Sequence, residues 1–306
     1  MQRYILGRFI QSLMALLGIT LIIFILSRLS GDPVALMMGG EVVTQEDIDR
    51  IRVQLGLDKP LVQQYFIFLG DAIHGDFGRS LRYREPAFSL VLHRFPATFQ
   101  LALVAMSISV IVAIPVGVLS AVRRDGLFDR FGKIVALLGQ SMPGFWFGLM
   151  LILFVAVGLG LLPAGGRDQP SSIILPALTL GVFPMAAIMR LTRSSLLDVL
   201  DSEYIKMVRI KGAPEWTVIF KHGLKNAAIP VVTLMGLQIA GFLGGSVIAE
   251  TVFAWPGVGK LAVDAVFSRD FQVIQASVFM VAVVFLAINL AVDLVYAYLD
   301  PRIRYR

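Results

Sequence analysis

The residues "EYIKMVRIKGAPEWTVIFKHGLKNAAIPVV", Glu203–Val232, form a basic segment between two long apolar runs. The segment has two acidic residues against six basic ones, which are Lys206, Arg209, Lys211, Lys221, His222 and Lys225. Ser202 is a candidate N-cap, Gly212 suits the left-handed residue that ends a helix, and Pro214 suits the first turn of the next helix. The pattern therefore predicts a short helix, a tight corner and a second short helix lying along a membrane face.

The composition is that of an integral membrane protein. Of 306 residues, 57% are hydrophobic and 16% charged, whereas a soluble domain has about 25% charged residues. The chain has no cysteine, which excludes disulfides, zinc–thiolate sites, iron–sulfur clusters and cysteine nucleophiles. A net charge of +6 does not require a nucleic-acid partner, because basic loops set the topology of membrane proteins.

Six stretches lack Asp, Glu, Lys and Arg and are long enough to span a bilayer, which takes about 20 apolar residues. They are Phe9–Ser27, Phe95–Val122, Ile134–Gly166, Gln169–Met189, Asn226–Ala249 and Phe271–Val292. We expect an all-α protein with six transmembrane helices, the third being one helix with an interfacial tail. The first stretch is longer than the apolar part of a signal peptide, so we expect it to be retained as a helix.

The distribution of basic residues predicts the orientation. Lys and Arg concentrate on one side of the predicted spans, at Arg3, Arg8, Arg123, Arg124, Arg130, Lys133, Arg190, Arg193, Lys206, Arg209, Lys211, Lys221, Lys225, Arg302, Arg304 and Arg306. By the positive-inside rule this side is cytoplasmic, and so are both termini. The predicted parts are residues 1–29 (N-terminus and first helix), 30–94 (an extracytoplasmic helical loop) and 95–306 (a five-helix core with a cytoplasmic loop at 194–225).

The extracytoplasmic loop is predicted to contain two amphipathic helices. Residues 44–57, "TQEDIDRIRVQLGL", begin with a capping-box pattern and continue at helical spacing. The run "LVQQYFIFLGDAI" is predicted to form the second helix, with one face made by Val62, Tyr65, Phe66, Leu69 and Ile73. The loop is either a cap packed on the outer membrane surface, or a cap that also docks a soluble partner or shapes the substrate entrance.

The basic segment itself allows two interpretations. Its charges are typical of an ordinary interfacial loop. Large apolar groups on the water side, namely Tyr204, Trp216 and Phe220, either anchor at lipid headgroups or fill a groove on a partner. Docking into a groove needs a rigid corner and one apolar face, and we expect that face to include Tyr204, Val208 and Met207.

The segment resembles the cytoplasmic signature loop of permease subunits of bacterial ATP-binding cassette (ABC) importers, most closely the peptide/nickel class, which includes dipeptide, oligopeptide and glutathione importers. Gly212 matches the glycine of the pattern and Ile229-Pro230 matches its end, whereas Lys206-Met207-Val208 stands where the family has Glu-Ala-Ala. Further similar strings are Gly31–Pro33, Leu55–Leu69, Gly75–Ser80, Ser141–Ile152, Leu175–Gly181, Val252–Leu261, Arg269–Ala276 and Ile288–Tyr305.

The resemblance implies a type I ABC importer permease in the bacterial inner membrane, surrounded by lipid. It implies a second, similar permease subunit in a heterodimer, two ATP-binding subunits and an extracytoplasmic solute-binding protein. The sequence has no G-x-x-x-x-G-K-[ST], so we expect ATP and Mg²⁺ in the partner subunits and neither catalysis, cofactor, metal nor nucleic acid on this chain. The residues implied in ATPase coupling are Glu203, Tyr204, Lys206, Met207, Val208, Arg209, Lys211, Gly212, Ala213, Pro214, Trp216 and His222.

Polar residues are rare within the predicted spans, and such residues mark transport paths or join helices. The candidates for the translocation path are Gln140, Ser141, Gln238, Ser246 and Asn289. For the last three, hydrogen bonding between helices or between subunits is the competing interpretation.

Short peptides are the leading substrate implied by the resemblance, with glutathione, nickel complexes and opines as alternatives. An ion-coupled secondary transporter would show buried charges near the midplane, and the centres of these spans carry none. An intramembrane protease would need paired His or Asp residues, yet the three histidines are far apart in sequence. A channel would conduct without any ATPase.

Overall fold

The computed structural model describes residues 2–29 and 58–299, which are mostly helical. The helices are α1 (Gln2–Leu29), α2 (Leu61–Ile73), α3 (Ala87–Val122), α4 (Leu127–Ser141), α5 (Gly144–Leu151), α6 (Ile174–Leu200), α7 (Glu203–Ile210), α8 (Lys225–Val252), α9 (Val258–Phe267) and α10 (Phe271–Leu299). π-Helical turns extend α5 over Ile152–Gly158 and precede α8 over Thr217–Leu224, and a 3₁₀ turn at Pro170–Ile173 leads into α6. The predicted all-α class is confirmed.

Within residues 2–29 and 58–299, four apolar helices are long enough to cross a membrane by length and composition: Ile5–Leu29, Ala87–Val122, Pro170–Leu200 and Phe271–Leu294. They coincide with the first, second, fourth and sixth predicted spans. A bent pair, Leu127–Ser141 with Gly144–Gly158, raises the number to five if the pair makes one span. The fifth predicted span falls within α8, which has 28 residues, and the count of six stays a prediction.

The third predicted span is not a single helix. α4 ends at Ser141 and α5 begins at Gly144, and the two arms are bent by 107°. Pro143 lacks an N–H and disfavours helical backbone at the preceding residue; Met142 accordingly is extended, with φ −83° and ψ 132°. The expectation of one helix with an interfacial tail was therefore wrong at this proline.

The described residues group into two compact units, one within residues 1–97 and 256–290 and the other within residues 98–255 and 291–306. In the first unit, buried residues of α2, α3, α9 and α10 share one core that includes Ala72, Val91, Leu261 and Val273. A run of aromatic contacts supports this core: Phe24 with Phe68 at 5.8 Å, Phe68 with Phe77 at 6.2 Å, and Phe77 with Phe279 at 5.1 Å between ring centres.

A buried aspartate holds the turn after α2 in place. Asp270 stands just before α10 and accepts a hydrogen bond from the Val273 N–H at 3.4 Å, as an N-cap does. Its other carboxylate oxygen accepts from the Ser80 hydroxyl at 2.5 Å and the Arg82 N–H at 3.3 Å. Because the carboxylate is buried, these donors stabilise its charge and tie the turn to the start of α10.

The structure has a helix, α2, at the residues of the predicted second loop helix, but its buried side differs from the predicted apolar face. Gln64 and Ala72 are buried, whereas Val62, Phe66 and Ile73 are exposed. Both sides of α2 carry large apolar residues, so spacing alone did not decide which side packs inward. The predicted helix at residues 44–57 lies outside the described residues.

In the second unit, α3 crosses α6 at two glycines. A Cβ added to Gly181 would lie 2.7 Å from the Ser109 hydroxyl, and one added to Gly117 would lie 2.8 Å from the Met189 carbonyl oxygen. The Ser109 hydroxyl donates to the Gly181 carbonyl at 2.8 Å. These small residues allow the two backbones to approach closely, so α6 has a fixed course through this unit and ends at the basic segment.

Candidate coupling surface

The basic segment begins where α6 ends, and Ser202 caps the short helix α7. Ser202 has extended backbone angles, φ −71° and ψ 151°, and its hydroxyl oxygen accepts from the Ile205 N–H at 3.5 Å. The first turn contains Glu203 and the last turn contains Arg209, which is the order that the helix dipole favours. The predicted N-cap and helix are both present.

The corner after α7 is a Schellman motif centred on Gly212. Gly212 has a φ of +78°, a conformation that glycine adopts without steric cost. Its N–H donates to the Arg209 carbonyl at 2.9 Å, and the Ala213 N–H donates to the Val208 carbonyl at 3.4 Å. Those two bonds satisfy carbonyls that the helix end would otherwise leave unpaired. Pro214 then starts the next helix, as its carbonyl accepts from the Val218 N–H at 3.1 Å.

Two buried side chains anchor this corner to the helix bundle. Ile205 from α7 and Val218 from the following π-helical turn are both fully buried. They pack in one apolar cluster with Val118 of α3 and with Leu196 and Leu200 of α6. The helix α7 has only eight residues and is too short to be stable alone, so tertiary packing must hold it.

The opposite side of the segment is apolar and exposed. Tyr204, Met207 and Ile210 follow one another at helical spacing and are all exposed, Ile210 by 85%. Trp216 is 67% exposed on the next helical turn. We call Tyr204, Met207, Ile210 and Trp216 the exposed stripe. Val208, which the sequence placed on this face, is instead half-buried against the apolar cluster, because α7 turns its Ile205 side inward.

One ion pair and one hydrogen bond between side chains connect the two helices on the exposed side of the corner. The Arg209 guanidinium donates to both carboxylate oxygens of Glu215, at 2.9 and 3.4 Å, across the Gly212 turn. Both side chains are solvent-accessible, so the pair contributes about 0–1 kcal/mol, and its forked geometry links the two helices across the turn. Tyr204 Oη and His222 Nδ1 lie 2.6 Å apart, which joins α7 to the π-helical turn.

The twelve predicted coupling residues therefore lie on one compact surface. Most of them are exposed; Val208, Ala213 and His222 are half-buried. Sequence reasoning missed Ile210, the most exposed apolar residue of α7, and Glu215, the partner of Arg209. The signal for Ile210 was present, since it follows Tyr204 and Met207 at intervals of three residues.

The path candidates differ in their burial and in their hydrogen bonds. Ser141 donates to the Leu137 carbonyl at 2.9 Å and Asn289 to the Phe285 carbonyl at 2.9 Å, so each bonds to its own helix. Ser246 is fully buried in α8, and Gln140 and Gln238 are half-buried. Among residues 2–29 and 58–299, no group of three or more His, Asp or Glu side chains is placed to hold a metal ion.

Comparison with known proteins identifies the kind of membrane protein. Residues 113–305 match the family of binding-protein-dependent transport system inner membrane components, and residues 1–102 match the N-terminal family of the same transport systems. The chain belongs to this family.

Relatives of this inner membrane component match over their whole length. It is 39% identical to the dipeptide transport system permease protein DppB of Escherichia coli K12, with all of both chains covered. It is 42% identical to the oligopeptide transport system permease protein AppB of Bacillus subtilis 168 and to the glutathione transport system permease protein GsiC of E. coli K12, again over both full chains.

A solved structure shares the fold. The MetNI methionine ABC transporter, in an inward-facing conformation, matches with a TM-score of 0.59 and 20% identity, over 69% of this chain and 96% of that chain. This likeness confirms the predicted fold of an ABC importer permease.

Proposed function

We propose that this chain is a permease subunit of an ATP-driven importer that carries short peptides across the bacterial inner membrane. The support for the substrate is chemical: dipeptides, oligopeptides and glutathione, which the relatives' names mention, are all peptides. Glutathione itself is the second candidate, because the glutathione permease is as similar in sequence as the oligopeptide permease.

The observation that carries the coupling role is the pairing of a rigid corner with the exposed stripe. Apolar and aromatic residues of this kind fill pockets on a partner protein. In our proposal, Tyr204, Met207, Ile210 and Trp216 dock into a groove on an ATP-binding subunit. ATP and Mg²⁺ bind to that partner, while this chain supplies a lever whose contacts differ between two states of the ATPase pair.

The rest of the assembly follows from the same proposal. A second permease subunit completes the translocation path, and a solute-binding protein delivers substrate to the face that bears residues 30–94. Both termini and the coupling surface lie in the cytoplasm. Gln140, Ser141, Gln238, Ser246 and Asn289 stay the candidates for contact with substrate.

Reconstitution of the complete complex tests the function. With the second permease, both ATPase subunits and the binding protein in proteoliposomes, we expect ATP turnover to rise several-fold, about the size of a typical allosteric coupling, when the binding protein carries a di- or tripeptide. Peptide uptake should require ATP.

Parallel reactions with glutathione, a nickel chelate and an opine on the binding protein separate the substrate classes. Stimulation by the nickel chelate or the opine alone would contradict the peptide assignment. Uptake that continues without ATP and follows an ion gradient would instead indicate a secondary transporter.

A further inference from the structure

A fully buried carboxylate joins α4 to α6. The side chain of Asp129, in the first turn of α4, has 0% exposure. Arg193 of α6 donates to both its oxygens, from Nε at 2.6 Å and from a terminal nitrogen at 2.8 Å. Lys133 Nζ lies 2.9 Å from the carboxylate, and the Asp125 N–H donates to it at 3.1 Å. None of these contacts belongs to the coupling surface.

The position of this ion pair links two parts of the molecule. Arg193 precedes Leu200, the end of α6, by about two helical turns, and Ser202 then caps α7. Asp129 lies on α4, whose last two residues are Gln140 and Ser141. The helix ends there, at the break before Pro143. The pair therefore connects the helix that carries the coupling surface with the helix that carries two path candidates.

Close packing continues along both helices from the ion pair to the break. A Cβ on Gly132 would lie 4.0 Å from Met189, and a Cβ on Gly139 would lie 3.3 Å from Val182 and 3.9 Å from the Cβ of Ala186. The paired positions run in opposite directions along the two helices, so α4 and α6 form one antiparallel pair in constant register. Small residues on α4 permit this contact.

We propose that Asp129 is a positioning residue, which with Arg193 forms a permanent joint that makes α4 follow α6 when the coupling surface moves. The joint stays closed during transport, because opening it would remove the Arg193 guanidinium from both oxygens of a buried carboxylate and leave it only Lys133 and the Asp125 N–H, and breaking a buried ion pair is strongly unfavourable. Arginine holds the joint better than lysine, since lysine cannot make the forked contact to both oxygens. This inference rests on the proposed function of the coupling surface.

Removal of the charge tests the joint. In Asp129→Asn the side chain keeps its shape but loses its charge, and we expect peptide uptake per ATP hydrolysed to fall about tenfold while ATP turnover persists. Arg193→Lys should lower uptake per ATP hydrolysed by a smaller factor.

Lys260→Gln, which breaks a surface ion pair of 2.7 Å with Asp264, is the control and should leave the ratio of uptake to ATP turnover unchanged. A parallel fall of uptake and ATP turnover would mean that Asp129 only supports folding, and would overturn the proposal.

A disulfide between the helices provides an independent test, since the chain has no cysteine of its own. Gly139→Cys with Ala186→Cys places two Cβ atoms about 4 Å apart, within the range that a disulfide spans. We expect the oxidised double variant to take up peptide as fast as the reduced one, with each single variant under the same oxidant as control.

Loss of uptake on oxidation and recovery on reduction would show that α4 and α6 separate during transport. Failure of the disulfide to form would contradict their close packing.

Measurements on the complex without substitutions distinguish a failure of the joint from a failure of the proposed function. If it does not couple ATP to peptide uptake, the proposed function itself fails. If it couples normally but the disulfide abolishes uptake, only the joint is wrong.

Discussion

At the residue scale, the coupling surface depends on one backbone conformation. Gly212 has a positive φ, and a Cβ at this position would meet no atom within 4 Å. Its conformation, rather than lack of space, therefore requires glycine. The corner sets the angle between α7 and the helical turn that bears Trp216, so a change at Gly212 alters the exposed stripe.

Substitution of Gly212 should uncouple ATP use from transport. Proline fixes φ near −65° and removes the N–H that bonds to Arg209, so Gly212→Pro should reduce uptake per ATP about tenfold or more while the chain still inserts. Gly212→Ala carries a strain of about 1–2 kcal/mol and should have a smaller effect. Both are measured as uptake and ATP turnover in proteoliposomes.

Gly160 provides the matched control, because it also has a positive φ, +65°, with no atom within 4 Å of an added Cβ. Gly160→Ala introduces the same strain away from the coupling surface and should leave coupling intact. Equal effects of Gly160→Ala and Gly212→Ala would show that strain anywhere in the chain suffices, and normal uptake by Gly212→Pro would contradict the lever.

At the element scale, α7 has two apolar sides with different tasks. Ile205 and Val208 pack against the helix bundle, while Tyr204, Met207 and Ile210 face outward. When only the bundle packs against such a helix, its other apolar side stays exposed, and an exposed apolar patch of this kind marks an interaction site. In the proposed assembly the ATP-binding subunit covers that side.

Trp216→Ala should weaken the attachment of the ATP-binding subunits. The side chain is mostly exposed, so its loss costs the fold little, whereas an aromatic residue at the centre of an interface is worth about 2 kcal/mol or more. We expect markedly less ATPase subunit to co-purify with the variant permease. Phe267→Ala, where the side chain is 85% exposed on α9, is the control. An unchanged yield with Trp216→Ala would indicate a headgroup anchor instead.

At the scale of the whole molecule, the basic segment and the turn after α2 are proposed to face opposite sides of the membrane. Lys211 lies beside the corner of the coupling surface, and Glu85 lies in the turn that Asp270 holds; both are exposed. The absence of cysteine makes single introduced cysteines unambiguous reporters of this orientation.

Labelling with a membrane-impermeant maleimide tests that orientation. The reagent is added to spheroplasts, in which the outer membrane is removed and the inner membrane is intact. Glu85→Cys should react there, whereas Lys211→Cys should react only after the inner membrane is opened. The reason is that the positive-inside rule places the basic segment in the cytoplasm. The reverse pattern would place the coupling surface outside the cell and remove its access to ATP.

The sequence alone determined the features that depend on near neighbours. Apolar runs identified the four described helices that are long enough to span a membrane, since hydropathy is a property of consecutive residues. The cap at Ser202 and the corner at Gly212 were predictable because each rests on hydrogen bonds within one turn of helix. Pro143 also carried a local signal for the break between α4 and α5, although its consequence for the span was underestimated.

Only the tertiary structure decided which side of an apolar helix packs inward and which distant charges meet. The inward face of α2 and the half-burial of Val208 follow from the neighbouring helices, because both elements are apolar on two sides. Asp129 and Arg193 lie 64 positions apart, and their contact depends on the antiparallel packing of α4 on α6. No local pattern specifies such a contact, since burial and charge pairing become defined only when separate segments are brought together.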